Sequence, residues 1–237
     1  QKLAITSQPQ FTPPPLSFAQ QRLWALDQLQ GGSPEYNMLA VYAFSGRLSI
    51  TCLNNALSQL VQRHETLRTN IVVGSEGAIQ LIHEDTDCNV VIFNASESTP
   101  PVYLQKQAQI IQQRQEHVFN LAQEPLFSVQ ILKQQSINDD VLTAGTLFFN
   151  LHHIVADGWS VEIFCQELMS LYQAALSGIP LQQQPLEIQY RDYALWQRER
   201  ESSEQLRQQY HNWQQQLVDL PPGHYLPTKA RGEQRGK

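Results

Sequence analysis

The sequence feature that most constrains the fold is the apolar segment VLTAGTLFFNLHH at residues 141–153, which has strand composition and ends in two adjacent histidines. A second such segment, LFSVQILK, precedes it across a short polar loop, and this pattern predicts a β-hairpin. The segment SVEIFCQELMSLYQAALSG follows, with apolar residues at helical spacing and Gly178 as a helix stop. Two strands followed by an amphipathic helix predict a fold that mixes sheet and helix.

The remainder of the chain continues this mixture. Ser17 and Gln20 form a Ser-x-x-Gln capping box, which predicts a helix from Ser17 to Gln28 after a Pro-rich linker at residues 1–16. Further periodicities predict, in chain order, a buried strand Met38–Phe44, a helix within residues 51–67, a hairpin around Gly74–Gly77, a strand at NVVIF, a surface helix Pro101–Phe119, helices Tyr190–Glu199 and Ser203–Leu217, and a Pro-rich tail. The apolar stripe of the surface helix is predicted at Val102, Leu104, Ala108, Ile111 and Val118.

Composition narrows the classes of function. The chain has 237 residues, of which 41% are hydrophobic, enough for one large domain or two small ones. Its formal net charge of −6 gives no basic surface of the kind that binds nucleic acid or an anionic membrane. No apolar segment approaches the roughly 18 residues of a membrane span, and the N-terminal segment lacks a signal-peptide core. These features favour a globular cytoplasmic protein.

The histidine pair raises the question of chemistry. Successive side chains of a strand point to opposite faces, so His152 and His153 cannot both face one site, and one of them is expected to be structural. Asp157 can fix the following loop through a charged partner or cap the next helix, and Gly158 permits close approach of a substrate or backbone. The sequence contains neither a zinc-site spacing nor a Gly-x-Ser-x-Gly elbow. After a zinc site and a serine hydrolase, the remaining interpretation is a histidine that acts as a general base.

Four segments, in the same order along the chain, resemble the signatures of condensation domains from non-ribosomal peptide synthetases, which are relatives of chloramphenicol acetyltransferase. HHIVADG, at residues 152–158, is similar to the His-His-x-x-x-Asp-Gly signature. The other three are SFAQQRLWALDQL at 17–29, RHETLRT at 63–69 and YRDYALWQ at 190–197. The resemblance extends from Pro15 to Thr228, and its small departures at Leu151, Ala156 and Ile71 affect no residue with a chemical role.

This resemblance implies an α/β fold, a mixed β-sheet flanked by α-helices as in chloramphenicol acetyltransferase. Condensation domains are V-shaped pairs of similar lobes with the active site in a tunnel between them. The chain is expected to be the N-terminal lobe, residues 17–237 after the linker at 1–16, and the C-terminal lobe is expected to be missing.

The resemblance also assigns roles to individual residues. His153 is expected to face the tunnel as the catalytic residue, either as a base or by positioning the amine. Support of the active site is expected from His152, Asp157, Gly158, Arg22 and Arg68. Asp157 is expected to form an ion pair with a buried or half-buried arginine, for which Arg22 and Arg68 are the candidates. Glu65 is expected to be a surface residue rather than a second base, and no metal or cofactor is expected in the lobe itself.

The function implied for the parent domain is peptide-bond formation between an acyl or peptidyl thioester on an upstream peptidyl carrier protein and an aminoacyl thioester on a downstream one. The expected partners are those two carrier proteins, which deliver phosphopantetheine arms, the missing C-terminal lobe and an adjacent adenylation domain. The lobe alone is expected to be inactive. Two alternatives stay open, which are an epimerisation domain of the same superfamily and a carrier-protein docking lobe without catalysis.

Overall fold

A four-stranded mixed sheet positions the histidine pair. The computed structural model describes residues 4–7, 13–75, 77–86, 88–201 and 203–219, so the predicted tail from residue 220, Glu76 of the predicted turn and most of residues 1–12 lie outside the described residues. The helices of the described part are α1 (Phe18–Gln30), α2 (Ile50–Arg63), α3 (Pro100–Gln115), α4 (Gly158–Ser177), α5 (Tyr190–Glu201) and α6 (Glu204–Gln216). The strands are β1 (Asn37–Ser49), β2 (Thr69–Gly74), β3 (Gly77–Ile82), β4 (Val91–Asn94), β5 (Phe127–Ser136) and β6 (Val141–His152).

The sheet has the strand order β1-β6-β5-β4, and β2 and β3 form a separate hairpin. Strand β6 is central and pairs antiparallel with both β1 and β5, whereas β4 pairs parallel with β5. The predicted hairpins β5–β6 and β2–β3 are both confirmed. Parallel and antiparallel pairs in one sheet confirm the predicted mixed α/β architecture.

Alternation along β6 divides the core between the two faces of the sheet. On one face, Phe148 packs with Tyr103 and Ile110 of α3. On the other face, Phe149 and Leu151 join the apolar sides of α2 and α4, which include Leu57 and Phe164. Because adjacent side chains of a strand point to opposite faces, the residues that end β6 are also divided between these two environments.

Local signals set several of the helix ends. The Ser17 hydroxyl accepts from the backbone N–H of Gln20, and the Gln20 side chain accepts from the backbone N–H of Ser17, which confirms the predicted capping box. Helix α4 ends at Gly178, whose φ of 68° is left-handed and favours glycine, as predicted. The predicted linker extends too far, because Leu16 is only 2% exposed and Pro15 bridges to Ile79 of β3.

The prediction of a buried strand at Met38–Phe44 is wrong in its burial. Strand β1 is longer and lies at the edge of the sheet, so its residues are half-buried or exposed, and Tyr42 is 46% exposed. Local hydrophobicity identifies a strand but carries no information about which strand is outermost, because that order depends on pairing with distant segments.

The predicted apolar stripe of α3 is also wrong. Tyr103 and Ile110 are the buried residues of this helix, while Val102, Leu104 and Ala108 are exposed. The Tyr103 hydroxyl lies 2.8 Å from Thr146 Oγ1 of β6, a polar contact that an apolar count does not register. The helix ends before Phe119, where the Asn37 side-chain amide donates to the carbonyl of Arg114 in the last turn and to that of His117 just beyond it.

The chain divides into two compact units, residues 1–198 and 199–237. The first contains the sheet, the β2–β3 hairpin and helices α1 to α4, and the second contains α6 within its described residues. Among the described residues, no helix combines the length and apolarity that crossing a membrane requires.

Candidate active site

His152 is a buried structural residue at the end of β6. Its side chain is 1% exposed and lies against the rings of Phe119 and Tyr36, with centroids 5.8 and 6.4 Å away. Its Nδ1 accepts a 3.1 Å hydrogen bond from the backbone N–H of Ile154, so the neutral ring carries its proton on Nε2. Burial, and to a lesser extent the nearby His153, lowers the pKa of His152 to about 4. The ring is therefore neutral at physiological pH.

His153 has the opposite environment. It is the first residue after β6, its backbone N–H donates to the Tyr36 carbonyl at 2.9 Å, and its side chain is exposed. It lies on the wall of a cavity of about 570 Å³ that His152 does not line. This histidine is therefore accessible to a bound molecule, while its neighbour is enclosed.

The cavity combines apolar walls with a few polar groups. Its sides come from α1, the segment after α2, the turn after β6, the first half of α4 and the start of α5. The polar side chains of the lining include, besides His153, Arg22, Asp157, Ser160, Tyr190 and Tyr193. Such a lining, mostly apolar with convergent polar groups, is typical of small-molecule sites.

Asp157 is the N-cap of α4. Its Oδ1 accepts from the backbone N–H of Ser160 at 2.7 Å and from the Ser160 hydroxyl at 2.6 Å. These two hydrogen bonds, the one from the hydroxyl first, lower the pKa of Asp157 below its usual value. The carboxylate is exposed, so Asp157 fixes the turn that carries His153 by capping the next helix.

The ion pair expected between Asp157 and Arg22 or Arg68 is absent from the described residues. Arg22 is exposed on the cavity wall, whereas Arg68 lies outside the lining, where it donates to the His83 carbonyl and sits 4.0 Å from Glu65. Asp157 needs no arginine because the α4 N-terminus and Ser160 already provide its donors. The structure therefore brings His153, Asp157 and Arg22 to one cavity and leaves Arg68 elsewhere.

Gly158 opens α4 beside this group. A β-carbon added at this position would meet no atom within 4 Å, and the φ of Gly158 is not in the left-handed region. Neither backbone conformation nor packing within the described residues requires glycine here. The close approach of a substrate remains a prediction.

The expectation that Glu65 is a surface residue is wrong. Its side chain is 8% exposed, and its Oε2 lies 3.2 Å from Arg191 Nε of α5. The Tyr190 hydroxyl lies 2.9 Å from Ser17 Oγ at the start of α1, and burial raises its pKa. The segments RHETLRT and YRDYALWQ therefore contact each other, and the second also reaches the start of α1. Tyr190 also lines the cavity, so this joint fixes part of the cavity wall.

Comparison with known families then decides the class of the chain. The condensation domain family model matches residues 12–237. The chain belongs to the condensation domain family. Its relatives include one of the linear gramicidin synthase proteins of Brevibacillus parabrevis, with 34% identity over 90% of this chain and 4% of that protein. Cyclosporin synthetase of Tolypocladium inflatum is 40% identical over 91% of this chain and 1% of that protein. These relatives are non-ribosomal peptide synthetases.

Solved structures agree on the fold. The starter condensation domain of rhizomide synthetase superposes with a TM-score of 0.72 at 23% identity, covering 86% of this chain and 48% of that one. The X-domain of teicoplanin biosynthesis, solved in complex with OxyB, gives a TM-score of 0.79 at 24% identity, covering 98% of this chain and 49% of that one. The condensation-domain chain therefore spans about half the length of these structures.

Sequence reasoning missed one polar group of this condensation-domain cavity. His64, just after α2, lines the cavity. Its Nε2 lies 2.6 Å from Glu167 Oε2 of α4. Arg63 Nε lies 3.2 Å from the same carboxylate. The RHET segment identified these residues only as part of a signature. Among the described residues, no group of three or more histidine, cysteine, aspartate or glutamate side chains is placed to hold a metal ion.

Proposed function

We propose that this chain contributes the histidine side of a condensation site in which two carrier-bound thioesters form a peptide bond. The observation that carries the proposal is the position of His153, the second histidine of the family signature, on the wall of the 570 Å³ cavity. Its partner in the signature, His152, is shielded from that cavity and kept neutral by burial. The site thus offers a single accessible imidazole from the pair.

The reaction needs one group at the position of His153 that can accept a proton from the amine or orient it. The acceptor amine attacks the donor thioester carbonyl, so a C–N bond forms, the C–S bond breaks and the donor carrier thiol leaves. The amine must lose a proton, which passes to the leaving thiolate. His153 either accepts that proton or orients the amine, both of which suit an imidazole. Asp157, engaged with Ser160, fixes the turn and is not required to exchange a proton.

The remaining parts of the reaction come from partners. The phosphopantetheine arms are proposed to arrive on an upstream and a downstream carrier protein, because the chain belongs to the condensation domain family. A second lobe is proposed to supply the opposite wall, since the chain spans about half the length of the solved X-domain and starter condensation domain. Holding both thioesters in register and excluding water require both walls. The chain alone is therefore proposed to be inactive in condensation.

The test uses two loaded carrier proteins with the chain alone and with a protein in which the chain continues into the second lobe. We expect peptide product only from the longer protein, and we expect His153→Ala to lower its rate by roughly 10²-fold or more. The matched control is His211→Ala, which removes an exposed histidine of α6 and should leave the rate unchanged.

Two results would redirect the proposal. Inversion of the donor α-carbon without a peptide product would identify an epimerisation domain. Carrier binding with no reaction in the longer protein, and no effect of His153→Ala, would identify a docking lobe. Condensation by the 237-residue chain alone, above its own His153→Ala variant, would contradict the need for a second lobe.

A further inference from the structure

We infer that His64, held by Glu167, is a second binding group of the cavity and selects acyl or peptidyl chains that carry a hydrogen-bond donor at a distance from the thioester. This inference rests on the proposed function, because it takes the cavity to be the site where a thioester substrate lies. It adds a residue and a substrate class that the histidine signature does not specify.

The orientation of His64 is fixed from one side. Its Nε2 lies 2.6 Å from Glu167 Oε2, and Arg63 Nε lies 3.2 Å from the same oxygen. A carboxylate oxygen accepts hydrogen bonds, and a guanidinium only donates them. Nε2 therefore carries a proton and donates a hydrogen bond to Glu167.

The other nitrogen of His64 is available to a ligand. With the proton of the neutral ring on Nε2, Nδ1 is a hydrogen-bond acceptor. Nδ1 has no hydrogen-bond partner among the described residues, and it is not one of the atoms that are shielded from solvent without a partner. Since His64 lines the cavity, its free acceptor is open to a hydroxyl or amide N–H of a bound molecule.

Helix α4 sets the distance between the two polar ends of the cavity. Ser160, Phe164 and Glu167 recur at helical spacing and share one face of the helix. From Ser160, which contacts Asp157 beside His153, to Glu167, which holds His64, the helix rises on the order of 10 Å. The apolar side chains of Ile163, Phe164 and Leu186 also line the cavity. A chain with an apolar stem and a terminal donor matches these groups.

If His64 had only a structural role, it would make the same contact with Glu167, because that contact joins the end of α2 to α4. A structural role does not use Nδ1 of His64, whereas substrate binding does. In His64→Lys, the ammonium can donate to Glu167 but carries no hydrogen-bond acceptor. This variant keeps a donor at the joint between the helices and removes the acceptor proposed to bind substrate.

The probes are two pantetheine thioesters of matched length, ω-hydroxyoctanoyl and nonanoyl, titrated into the intact chain. Affinity is measured by calorimetry, and the ring resonances of His153 and His64 are followed by nuclear magnetic resonance. We expect the hydroxylated probe to bind about threefold to tenfold more tightly, the range of one added hydrogen bond. The preference should vanish in His64→Lys with the nonanoyl affinity unchanged, and persist in the matched control His211→Lys.

If His64→Lys does not fold, a measurement on the unmodified chain tests the same role of His64. The Nδ1 nitrogen shift of His64 should move with the hydroxylated probe and not with nonanoyl. Equal affinity of the two probes, or a preference that survives in His64→Lys, would overturn the role of His64 and leave the condensation site intact. If neither probe shifts the His153 ring, both the inference and the placement of a thioester in this cavity are wrong.

Discussion

On the α3 side of β6, the last residue of the strand, His152, is enclosed by aromatic rings. On the cavity side, the next residue, His153, is open to a bound molecule. His152 is 1% exposed, and its pKa is held at about 4, whereas His153 is exposed on the cavity wall. The same residue type, one position apart, therefore serves packing on one side and is available for chemistry on the other. Strand alternation, not residue identity, separates the two roles.

The largest expected difference between the two histidines is in the free energy of unfolding. His152→Ala removes a side chain of which 1% is exposed, and we expect the free energy of unfolding to fall by about 2–4 kcal/mol, as for other large-to-small core substitutions. His153→Ala, at an exposed position, should change it by less than about 0.5 kcal/mol. Urea denaturation of the two variants measures both values. Equal losses of free energy of unfolding in the two variants would mean that His152 and His153 do not differ in their contribution to packing.

A second test uses pH. Between pH 6.5 and about 4 the unfolded chain binds a proton at His152 that the folded chain does not bind, so the free energy of unfolding falls as pH falls through this range. The loss should be about 1 kcal/mol at pH 5.5 and about 3 kcal/mol near pH 4.

The matched control for this pH dependence is His152→Asn, which keeps an acceptor for the backbone N–H of Ile154 but does not titrate. The difference in stability between the unmodified chain and this variant should shrink as pH falls from 6.5. A difference that stays constant would mean that His152 is protonated in the folded protein and is not held neutral by burial.

The smallest expected effect concerns the turn between the two regions. Because Asp157 is an exposed N-cap and not half of a buried ion pair, Asp157→Ala should lower stability by about 1 kcal/mol, while Asp157→Ser, which preserves a cap, should cost less. Thermal denaturation compares the two variants. A loss of several kcal/mol in both variants would instead support a buried ion pair between Asp157 and an arginine.

Two carboxylates show where sequence reasoning failed. Asp157 was expected to need an arginine and instead uses the donors of its own helix, whereas Glu65 was expected at the surface and instead is buried beside Arg191. The cap at Asp157 depends on neighbours in sequence and was among the predicted alternatives. The contact of Glu65 joins α5 to residues more than a hundred positions earlier, which no local pattern specifies.

Local patterns in the sequence are enough to predict the hairpins, the capped start of α1, the glycine stop of α4 and the separation of His152 from His153, because these features depend on residues within a few positions of one another. Such patterns do not predict that β1 is an edge strand, that α3 buries Tyr103 and not Leu104, or that His64 shares a cavity with His153. Those features depend on which distant segments pack together, and the free energy of that packing is a property of the whole fold.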